Sequence, residues 1–368
     1  MAIHPSHRSI IKVGSSLLVD AAGAVRRAWL AELVSDIAAR VMEGQQIAIV
    51  SSGAIALGAR RMGLPKGGRA SLEDAQAAAA VGQIALAGVW AELLGAHDLT
   101  AAQILVTLDD LEDRRRYLNA SATLDRLMSL GVIPVINEND SVATEEIRFG
   151  DNDRLAARVA QAAGAGQVVL LSDVDGLYTA DPSHEPSATR IVRVERIDAR
   201  IEGFATGGSQ SGMGSGGMTS KIAAAKIATS SGVDLVIVSG HKPHPLARVA
   251  EGAGTTFVAD KRARSRKAWL AGRLTVKGEI GVDAGAAKAL SNGASLLPAG
   301  ARSVTGKFAR GDVVDIVGPL GTVIARGLAE YDSDEAIKVA GLKSAAIEGV
   351  LGHTPRAAMV HRDHMVML

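Results

Sequence analysis

The feature that most constrains the fold is a series of short apolar runs, each of which ends in a polar turn. Along the first part of the 368-residue chain these runs are SIIKVGSS, QQIAIVSSGA, AAQILVT, GVIPVINEND, GQVVLLSDVDG and VDLVIVSG. Strands that are apolar on both sides are typical of a parallel sheet covered by helices on both faces. The sequence therefore predicts an α/β fold, a three-layer αβα sandwich with a mainly parallel central sheet.

The segments between these runs have the spacing of amphipathic helices. In WLAELVSDIAARVMEG the apolar positions that share one helix face are Leu30, Leu33, Val34, Ile37, Ala38 and Val41. Gly44 and Gly131 are predicted to end their helices, since glycine adopts the left-handed conformation common at helix C-termini. Ligands of such sheets bind beyond the carboxyl ends of the strands, so the polar residues after each run are the candidates for function.

The composition excludes several chemistries. The chain has no cysteine, which excludes disulfides, thiolate nucleophiles and cysteine-ligated metal centres and fits a reducing, cytoplasmic setting. Its 40 Lys and Arg residues balance 39 Asp and Glu residues, so no global field attracts nucleic acid. The N-terminal segment lacks the apolar core and the cleavage site of a signal peptide.

Residues 75–95 form the one stretch that invites comparison with a membrane span. Their apolarity comes mainly from Ala and Gly, and they contain Gln76, Gln83 and Glu92 without basic flanks. This pattern favours a buried or interface helix over a membrane span.

The pattern changes after residue 257. Residues 261–267 contain five basic side chains and are interpreted as a solvated linker. Beyond them, ARSVTGKFARGDVVDIVGPLGTVIARGLAEY alternates apolar and polar residues, and GPLG separates two predicted strands. The sequence therefore predicts a second, small antiparallel β domain, with the boundary between residues 260 and 276.

Two Gly/Ser turns after predicted strands are candidates for anion binding. Lys12 precedes the turn Gly14-Ser15, where free backbone N–H groups and an ammonium group favour an anion. The alternative for Lys12 is a solvated lysine near a strand end. Ser52 stands where a strand leads into a helix, so it either caps that helix or binds a substrate carboxylate at the helix N-terminus.

Two polar clusters, NEND at residues 137–140 and GDND at residues 150–153, follow the fourth run. Side-chain to backbone hydrogen bonds form plain turns from such residues, and this interpretation stays open. The alternative is that Asp140 and Asn152 lie on one rim that binds a zwitterion. In that case the carboxylate binds the amino group and the amide binds polar oxygens.

A Gly- and Ser-rich stretch, GGSQSGMGSGGMTSK at residues 207–221, also has two interpretations. Its composition is typical of a flexible linker. However, it leads directly into the helical pattern IAAAKIATSSG, whose first turn contains Lys221. Adjacent glycines, hydroxyl groups and a lysine at a helix N-terminus form a site for an anion such as phosphate. The chain contains no Walker A motif.

Taken in order, these motifs resemble those of the glutamate 5-kinases, a branch of the amino acid kinase family. The matching segments are KVGSS at 12–16, SSGAIALG at 51–58, VGQ at 81–83, PVINENDSVAT at 134–144, FGDNDRLAA at 149–157, SDVDGLYTADP at 172–182 and GSGGMTSK at 214–221. The C-terminal part resembles a PUA domain, a small β-barrel-like domain, in the segments GEIGVDAGAAKAL, GASLLPAG, VTGKFARGD and IARGLAEYDSDE.

The resemblance implies a domain organisation. Residues 1–260 would form the kinase domain, with the glutamate site mainly in its first part and the ATP site mainly at 166–240. Residues 261–275 would form the basic linker and residues 276–368 the PUA domain.

The resemblance also implies an activity, namely ATP-dependent phosphorylation of the L-glutamate γ-carboxylate to L-glutamyl 5-phosphate. This is the first step of proline biosynthesis, and it uses Mg²⁺. Lys12 and Lys221 would contact the phosphates, with Asp153 holding both lysines, and glutamate would be bound by Ser52, Asp140 and Asn152. The implied ATP-binding residues are Lys12, Ser172, Asp173, Ser215, Gly216, Gly217, Met218, Thr219, Ser220 and Lys221. No protein ligand for the metal is implied, and Ser220 replaces the usual threonine but keeps the hydroxyl group.

Expectations about partners follow from the same resemblance. The product would pass to a separate glutamyl phosphate reductase, and the chain would form a dimer or tetramer without associating with a membrane. One alternative is another amino acid kinase that acts on N-acetylglutamate, aspartate or a nucleotide, although NEND and GDND favour free glutamate. A second alternative is an RNA-binding protein that uses the PUA domain and the basic residues 261–267.

Overall fold

The chain divides into two compact units, Met1–Asp260 and Lys261–Leu368. The computed structural model describes residues 7–20, 23–142, 152–206, 217–259, 276–353, 356 and 358–368. The predicted linker at 261–275 and the part of the Gly-rich stretch up to residue 216 lie outside the described residues, and so does the first half of the GDND cluster.

An eight-stranded sheet forms the centre of the first unit. The strands of this unit are β1 (Arg8–Val13), β2 (Gln46–Ser51), β3 (Ala101–Val106), β4 (Ile133–Glu138), β5 (Gln167–Ser172), β6 (Leu177–Tyr178), β7 (Arg190–Ile191), β8 (Arg193–Val194), β9 (Asp234–Ser239) and β10 (Thr255–Phe257). The order across the sheet is β3-β4-β2-β1-β5-β9-β10-β8, and β6 pairs with β7 separately. The six predicted strands are the neighbours β3, β4, β2, β1, β5 and β9. All of them run parallel, as predicted.

Helices cover both faces of this sheet. They are α1 (Ser15–Leu18), α2 (Arg27–Met42), α3 (Ala54–Met62), α4 (Leu72–Gly95), α5 (Leu108–Glu112), α6 (Arg114–Ser129), α7 (Asn152–Ala162), α8 (Ala199–Thr206), α9 (Met218–Ser230) and α10 (Pro245–Ala250). Successive side chains of a strand point to opposite faces. Ile10 of β1 therefore packs in a core with α7 and α9, whereas Ile11 packs in a second core with α2 and α4. The predicted three-layer αβα sandwich is confirmed.

Helix α2 shows how the predicted pattern becomes packing. Its apolar stripe faces the sheet, with Leu30, Leu33, Val34, Ile37 and Ala38 buried and Val41 half-buried. Gly44 follows the helix with φ of 87°, and Gly131 follows α6 with φ of 74°. Both glycines therefore end their helices in the left-handed conformation that the sequence predicts.

Helix α4 corresponds to the apolar stretch at residues 75–95. Of the helices in the described ranges, it is the one that is long and apolar enough to cross a membrane by length and composition. It packs closely against α3, because a Cβ added at Gly82 would lie 1.7 Å from the Ala54 carbonyl oxygen. In addition, Trp90 Nε1 donates to Ser51 Oγ at 3.0 Å. These contacts fix α3 and α4 around the end of β2.

The second unit contains a five-stranded sheet and short helices. Its elements are β11 (Gly278–Val282), α11 (Ala284–Ser291), β12 (Ala301–Gly306), β13 (Val313–Val317), β14 (Val323–Ala329), α12 (Ser333–Val339), α13 (Ser344–Leu351) and β15 (Val360–Met367). The strand order is β12-β11-β13-β14-β15. The predicted hairpin around GPLG is the pair β13 and β14. One difference from the prediction is that β11 and β13 run parallel, while the other neighbouring pairs are antiparallel.

Candidate active site

The polar residues that follow the parallel strands lie along one edge of the first unit's sheet. Lys12 lies near the end of β1, Ser52 directly after β2, Asn137 near the end of β4, Ser172 at the end of β5 and Ser239 at the end of β9. These five strands are consecutive neighbours, and the carboxyl ends of parallel strands meet at the same edge. The candidate residues therefore form one continuous row.

Asp153 lies between two lysines. Its Oδ1 is 2.6 Å from Lys12 Nζ, and its Oδ2 is 3.3 Å from Lys221 Nζ. Asp153 is fully buried, whereas Lys12 and Lys221 are 9% and 5% exposed. Lys12 shares the strand face of Ile10, which α7 and α9 cover, and the first turns of those helices contain Asp153 and Lys221. We call these three residues the lysine–aspartate cluster.

The charges of the lysine–aspartate cluster do not cancel. Burial alone would raise the pKa of the Asp153 carboxyl, but the ammonium groups of Lys12 and Lys221 outweigh burial and hold that pKa below its usual value. The carboxylate is therefore ionised at neutral pH, and two positive charges face one negative charge. Because an uncompensated buried charge is costly, this arrangement favours the binding of an anion.

Asn152 connects the ends of β2 and β4. Its Nδ2 donates to Ser52 Oγ at 2.6 Å and to Asn137 Oδ1 at 3.2 Å. Its Oδ1 is buried and has no hydrogen-bond partner among the described residues. A buried amide oxygen in this state is ready to accept a hydrogen bond from a ligand. We call these three side chains the amide rim.

The amide rim differs in one residue from the set that the sequence suggested. The structure joins Ser52 to Asn152, both of which are sequence candidates. It adds Asn137, which is not among the glutamate-binding residues that the sequence predicts. The sequence does contain a signal for Asn137, since this residue opens the NEND cluster. In the structure it is the second-last residue of β4, at the edge where the candidate site lies.

Asp140 lies beyond β4 and is half-buried. Burial raises the pKa of its carboxyl to about 6, against the opposing effect of the positive charge on Arg69. Within the described ranges, no hydrogen bond joins Asp140 to Ser52 or Asn152. A poorly solvated carboxylate of this kind is stabilised by a cationic ligand, so Asp140 is a candidate to bind an amino group.

A cavity of about 500 Å³ lies beside Lys221. Its walls include the segment after β5, the start of α9 and the segment after β9. Four of the predicted ATP-binding residues line it, namely Asp173, Gly217, Met218 and Lys221. This volume is in the range of cavities that hold small-molecule ligands.

The other predicted ATP-binding residues lie around this cavity or outside the described residues. Ser172 Oγ donates to Asp173 Oδ1 at 2.9 Å and so supports the cavity wall. Thr219 Oγ1 donates to the Ala205 carbonyl oxygen at 3.3 Å. Ser220 Oγ is buried and has no partner in the described part of the chain. Ser215 and Gly216 lie outside the described residues.

Helix α9 presents its N-terminus at the cavity. It begins at Met218 after Gly217, and no described side chain caps it. The first N–H groups of a helix have no partner within the helix, and its dipole favours negative charge at this end. Together with Lys221 in the first turn, this end of α9 favours an anionic ligand such as a phosphate.

Comparison with known proteins shows the family to which the chain belongs. Residues 7–239 match the model of the amino acid kinase family, and residues 278–351 match that of the PUA domain. The glutamate 5-kinase of Sphingopyxis alaskensis is 66% identical over 361 residues, which cover 98% of this chain and 97% of that protein. The glutamate 5-kinase of Zymomonas mobilis is 62% identical, covering 98% and 91%, and that of Novosphingobium aromaticivorans is 59% identical, covering 98% and 96%. The chain therefore belongs to the amino acid kinase family and, within it, to the glutamate 5-kinases.

Proposed function

We propose that this chain transfers the γ-phosphoryl group of ATP to the γ-carboxylate of L-glutamate, giving L-glutamyl 5-phosphate and ADP in the first step of proline biosynthesis. The observation that supports this most directly is the lysine–aspartate cluster. It has an excess positive charge, and it adjoins both the amide rim, through Asn152, and the 500 Å³ cavity, through Lys221.

The reaction needs charge neutralisation and alignment more than proton transfer. An oxygen of the γ-carboxylate attacks the γ-phosphorus, the bond from that phosphorus to the β,γ-bridging oxygen breaks, and ADP leaves. The nucleophile is already ionised, so no general base is required. The ammonium groups of Lys12 and Lys221 offset the negative charge of the transferring phosphoryl group, while Asp153 holds both ammonium groups in place.

We assign glutamate to the amide rim and Asp140. The Ser52 hydroxyl would donate to a carboxylate oxygen of glutamate, and Asn152 Oδ1 would accept from the α-amino group. Asn137 would position Asn152 by accepting from its Nδ2. Asp140 would bind the α-amino group, and the raised pKa of its carboxyl supports this, because a cationic partner relieves the cost of burying the carboxylate. An N-acetylated substrate has no such cation, so free glutamate fits this site better.

We assign ATP to the cavity, with its phosphates at the N-terminus of α9 and at Lys221. When bound with ATP, Mg²⁺ supplies further positive charge to the phosphate oxygens. In the described part of the chain, no group of three His, Asp or Glu side chains forms a metal site.

We also infer the partners of the reaction. The product is an acyl phosphate, and we infer that a glutamyl phosphate reductase consumes it. We infer that the chain forms a homo-oligomer, which is supported by the exposure of Ile84 on α4, at 73%, and of Leu105 on the edge strand β3, at 36%. Light scattering of the purified protein tests this inference, and a monomer at micromolar concentration would contradict it.

RNA binding is a second candidate function, and the match of residues 278–351 to the PUA domain supports it. Binding of a structured RNA should weaken steeply as salt rises, because phosphate contacts release counterions. Deletion of the residues after 275 should abolish it while leaving phosphoryl transfer intact. Loss of phosphoryl transfer on this deletion would instead assign the second unit a structural role.

A substrate panel tests the proposed function. The protein is incubated with ATP, Mg²⁺ and hydroxylamine, together with L-glutamate, N-acetylglutamate or L-aspartate, and the hydroxamate from each acyl phosphate is measured. We expect γ-glutamyl hydroxamate with glutamate and little product with the other two. A preference for N-acetylglutamate or aspartate would contradict the proposal and indicate another member of the amino acid kinase family.

A further inference from the structure

The loop between β9 and α10 brings a further lysine to the cavity. Lys242 lines the cavity together with Lys221, Met218 and Asp173. Lys221 is paired with Asp153, whereas Lys242 is exposed and makes no hydrogen bond or ion pair with another described residue. Its ammonium group is therefore available to a ligand in the cavity.

Contacts from α2 hold this loop on both sides of Lys242. Before it, Trp29 Nε1 donates to the Gly240 carbonyl oxygen at 2.7 Å. After it, Asp36 contacts His244 Nδ1 at 2.7 Å through one oxygen and accepts from the Leu246 N–H at 3.1 Å through the other. The backbone around Lys242 is thus fixed to α2, a helix that covers one face of the sheet. Only the lysine side chain itself has to be ordered when a ligand binds.

The carboxylates that line the cavity form no ion pair with Lys242. They belong to Asp173, Asp175 and Asp181. Asp175 accepts a hydrogen bond from the Tyr178 hydroxyl at 3.0 Å, and Asp173 accepts from Ser172 Oγ. Asp181 accepts from the backbone N–H and the hydroxyl of Ser183. Each carboxylate thus has a partner other than Lys242.

The order of the strands indicates which part of a nucleotide Lys242 would meet. The amide rim lies at the ends of β4 and β2, Lys12 lies at the end of β1, and Lys242 follows β9. In the sheet these strands are arranged β4-β2-β1-β5-β9. The two substrates would meet at Lys12 and Lys221, because the excess positive charge of the lysine–aspartate cluster favours the transferring phosphoryl group there. Lys242 therefore lies on the far side of that point from the amide rim, where the departing ADP must be.

We propose that Lys242 binds a non-transferred phosphate of the nucleotide, so that Lys12 and Lys221 act on the transferring phosphoryl group while Lys242 holds the ADP portion. This inference rests on the proposed function for the direction of transfer. It makes Lys242 a nucleotide-binding residue supplied by the β9–α10 loop, in addition to those at the start of α9.

Nucleotide binding without turnover tests the inference. Dissociation constants for ADP and for adenosine are measured by calorimetry on the full chain, for wild type, Lys242→Met, Lys242→Arg and the control Lys226→Met. Lys226 is also a lysine of this unit, but it pairs with Glu202 at 2.8 Å and does not line the cavity. Lys242→Met should weaken ADP about 10- to 100-fold, as expected for losing a charge-assisted hydrogen bond, and should leave adenosine unchanged.

The variants separate a phosphate contact from a structural role. Lys242→Arg should keep most of the ADP affinity, and Lys226→Met should match wild type. ADP affinity within about twofold of wild type in Lys242→Met would overturn the inference. An equal loss for adenosine would also overturn it, because the effect would then arise from the base, the ribose or the fold.

Steady-state kinetics distinguishes failure of this inference from failure of the proposed function. In Lys242→Met the KM for ATP should rise by the same factor as the ADP dissociation constant, while the KM for glutamate stays near the wild-type value. If wild type forms no γ-glutamyl hydroxamate, the proposed function fails whatever Lys242 does. If wild type forms it and Lys242→Met has an unchanged KM for ATP, the inference about Lys242 fails alone.

Discussion

Asp153 contacts Lys12 through one carboxylate oxygen and Lys221 through the other, at 2.6 and 3.3 Å. A single buried side chain of α7 thus joins the central strand β1 to the first turn of α9. Removal of its charge should affect both folding and catalysis, because both ammonium groups depend on it.

Asp153→Asn keeps the shape of the side chain and removes its charge. Two buried ammonium groups then have no carboxylate, so the free energy of unfolding should fall by about 3–5 kcal/mol. Chemical denaturation measures this change. The control Glu202→Gln breaks the exposed ion pair with Lys226 and should cost less than about 1 kcal/mol. Equal stability of Asp153→Asn and Glu202→Gln would contradict the role given to Asp153.

Lys12→Met and Lys221→Met each remove one ammonium group from the transferring phosphoryl group. By analogy with the loss of one oxyanion-hole donor, kcat should fall about 10²- to 10³-fold in each variant. The KM for glutamate should change far less, because neither lysine belongs to the amide rim. Steady-state kinetics measures both constants, and a kcat within a few-fold of wild type would show that the lysine does not act on the transition state.

The affinity for glutamate should depend on the ionisation of Asp140. Burial raises the pKa of this carboxyl to about 6, so the free protein progressively loses the carboxylate below that pH. Glutamate affinity should therefore fall by up to about tenfold per pH unit below 6. Asp140→Asn should bind glutamate weakly and without this dependence between pH 5 and 7.5. Calorimetric titrations across this range test the prediction, which an unchanged pH dependence in Asp140→Asn would contradict.

In the absence of substrate, the raised pKa of Asp140 makes the folded protein less stable as the pH rises. Because the pKa of Asp140 is raised from 3.8 to about 6 in the folded state, the unfolded chain loses this proton first, and the folded state is progressively destabilised as the pH rises from about 4 to about 6. The stability of wild type relative to Asp140→Asn should therefore decrease as the pH rises from about 4 to about 6 and stay level at higher pH. Thermal unfolding of both proteins over that range measures the difference, and a difference that stays constant with pH would refute the shifted pKa.

Gly82→Ala should damage the glutamate site through packing. The added Cβ would lie 1.7 Å from the Ala54 carbonyl oxygen, so α3 must move, and Ser52 lies just before that helix. We expect a loss of about 3 kcal/mol or more in unfolding free energy and a higher KM for glutamate. Gly203→Ala in α8 is the control, since nothing lies within 4 Å of its added Cβ. If Gly82→Ala is as stable as this control, the close contact of α3 and α4 is wrong.

The sequence predicts the six parallel strands because each contains a continuous apolar run with a clear polar end. It does not predict β8 and β10, which have two and three residues and therefore no measurable pattern. Local sequence patterns also do not predict the parallel pairing of β11 with β13, because β12 separates these two strands in the chain. Such pairings depend on tertiary packing rather than on local alternation.

The candidate site is predictable by position but not in its contacts. The strand ends locate Lys12 and Ser52 in one row, since the edge of a parallel sheet fixes where they lie, whereas Asn152 contacts Ser52 from the start of α7. The sequence does not show which side chain of NEND contacts Asn152. In the structure it is Asn137 and not Asp140, because Asn137 lies in β4 with its side chain toward Asn152. Lys242 has no motif of its own, and its place at the cavity follows from the contacts of α2 with its loop.

Isotope transfer tests the central claim most directly. L-Glutamate labelled with ¹⁸O in both γ-carboxylate oxygens is incubated with the wild-type protein, ATP, Mg²⁺ and hydroxylamine, and the released phosphate is analysed by mass spectrometry. Attack by the carboxylate on the γ-phosphorus forms a new phosphorus–oxygen bond, whereas hydroxylamine later cleaves the carbon–oxygen bond. We therefore expect phosphate that contains one ¹⁸O atom. Unlabelled phosphate would mean that water, and not the γ-carboxylate, receives the phosphoryl group, and it would contradict the proposed function.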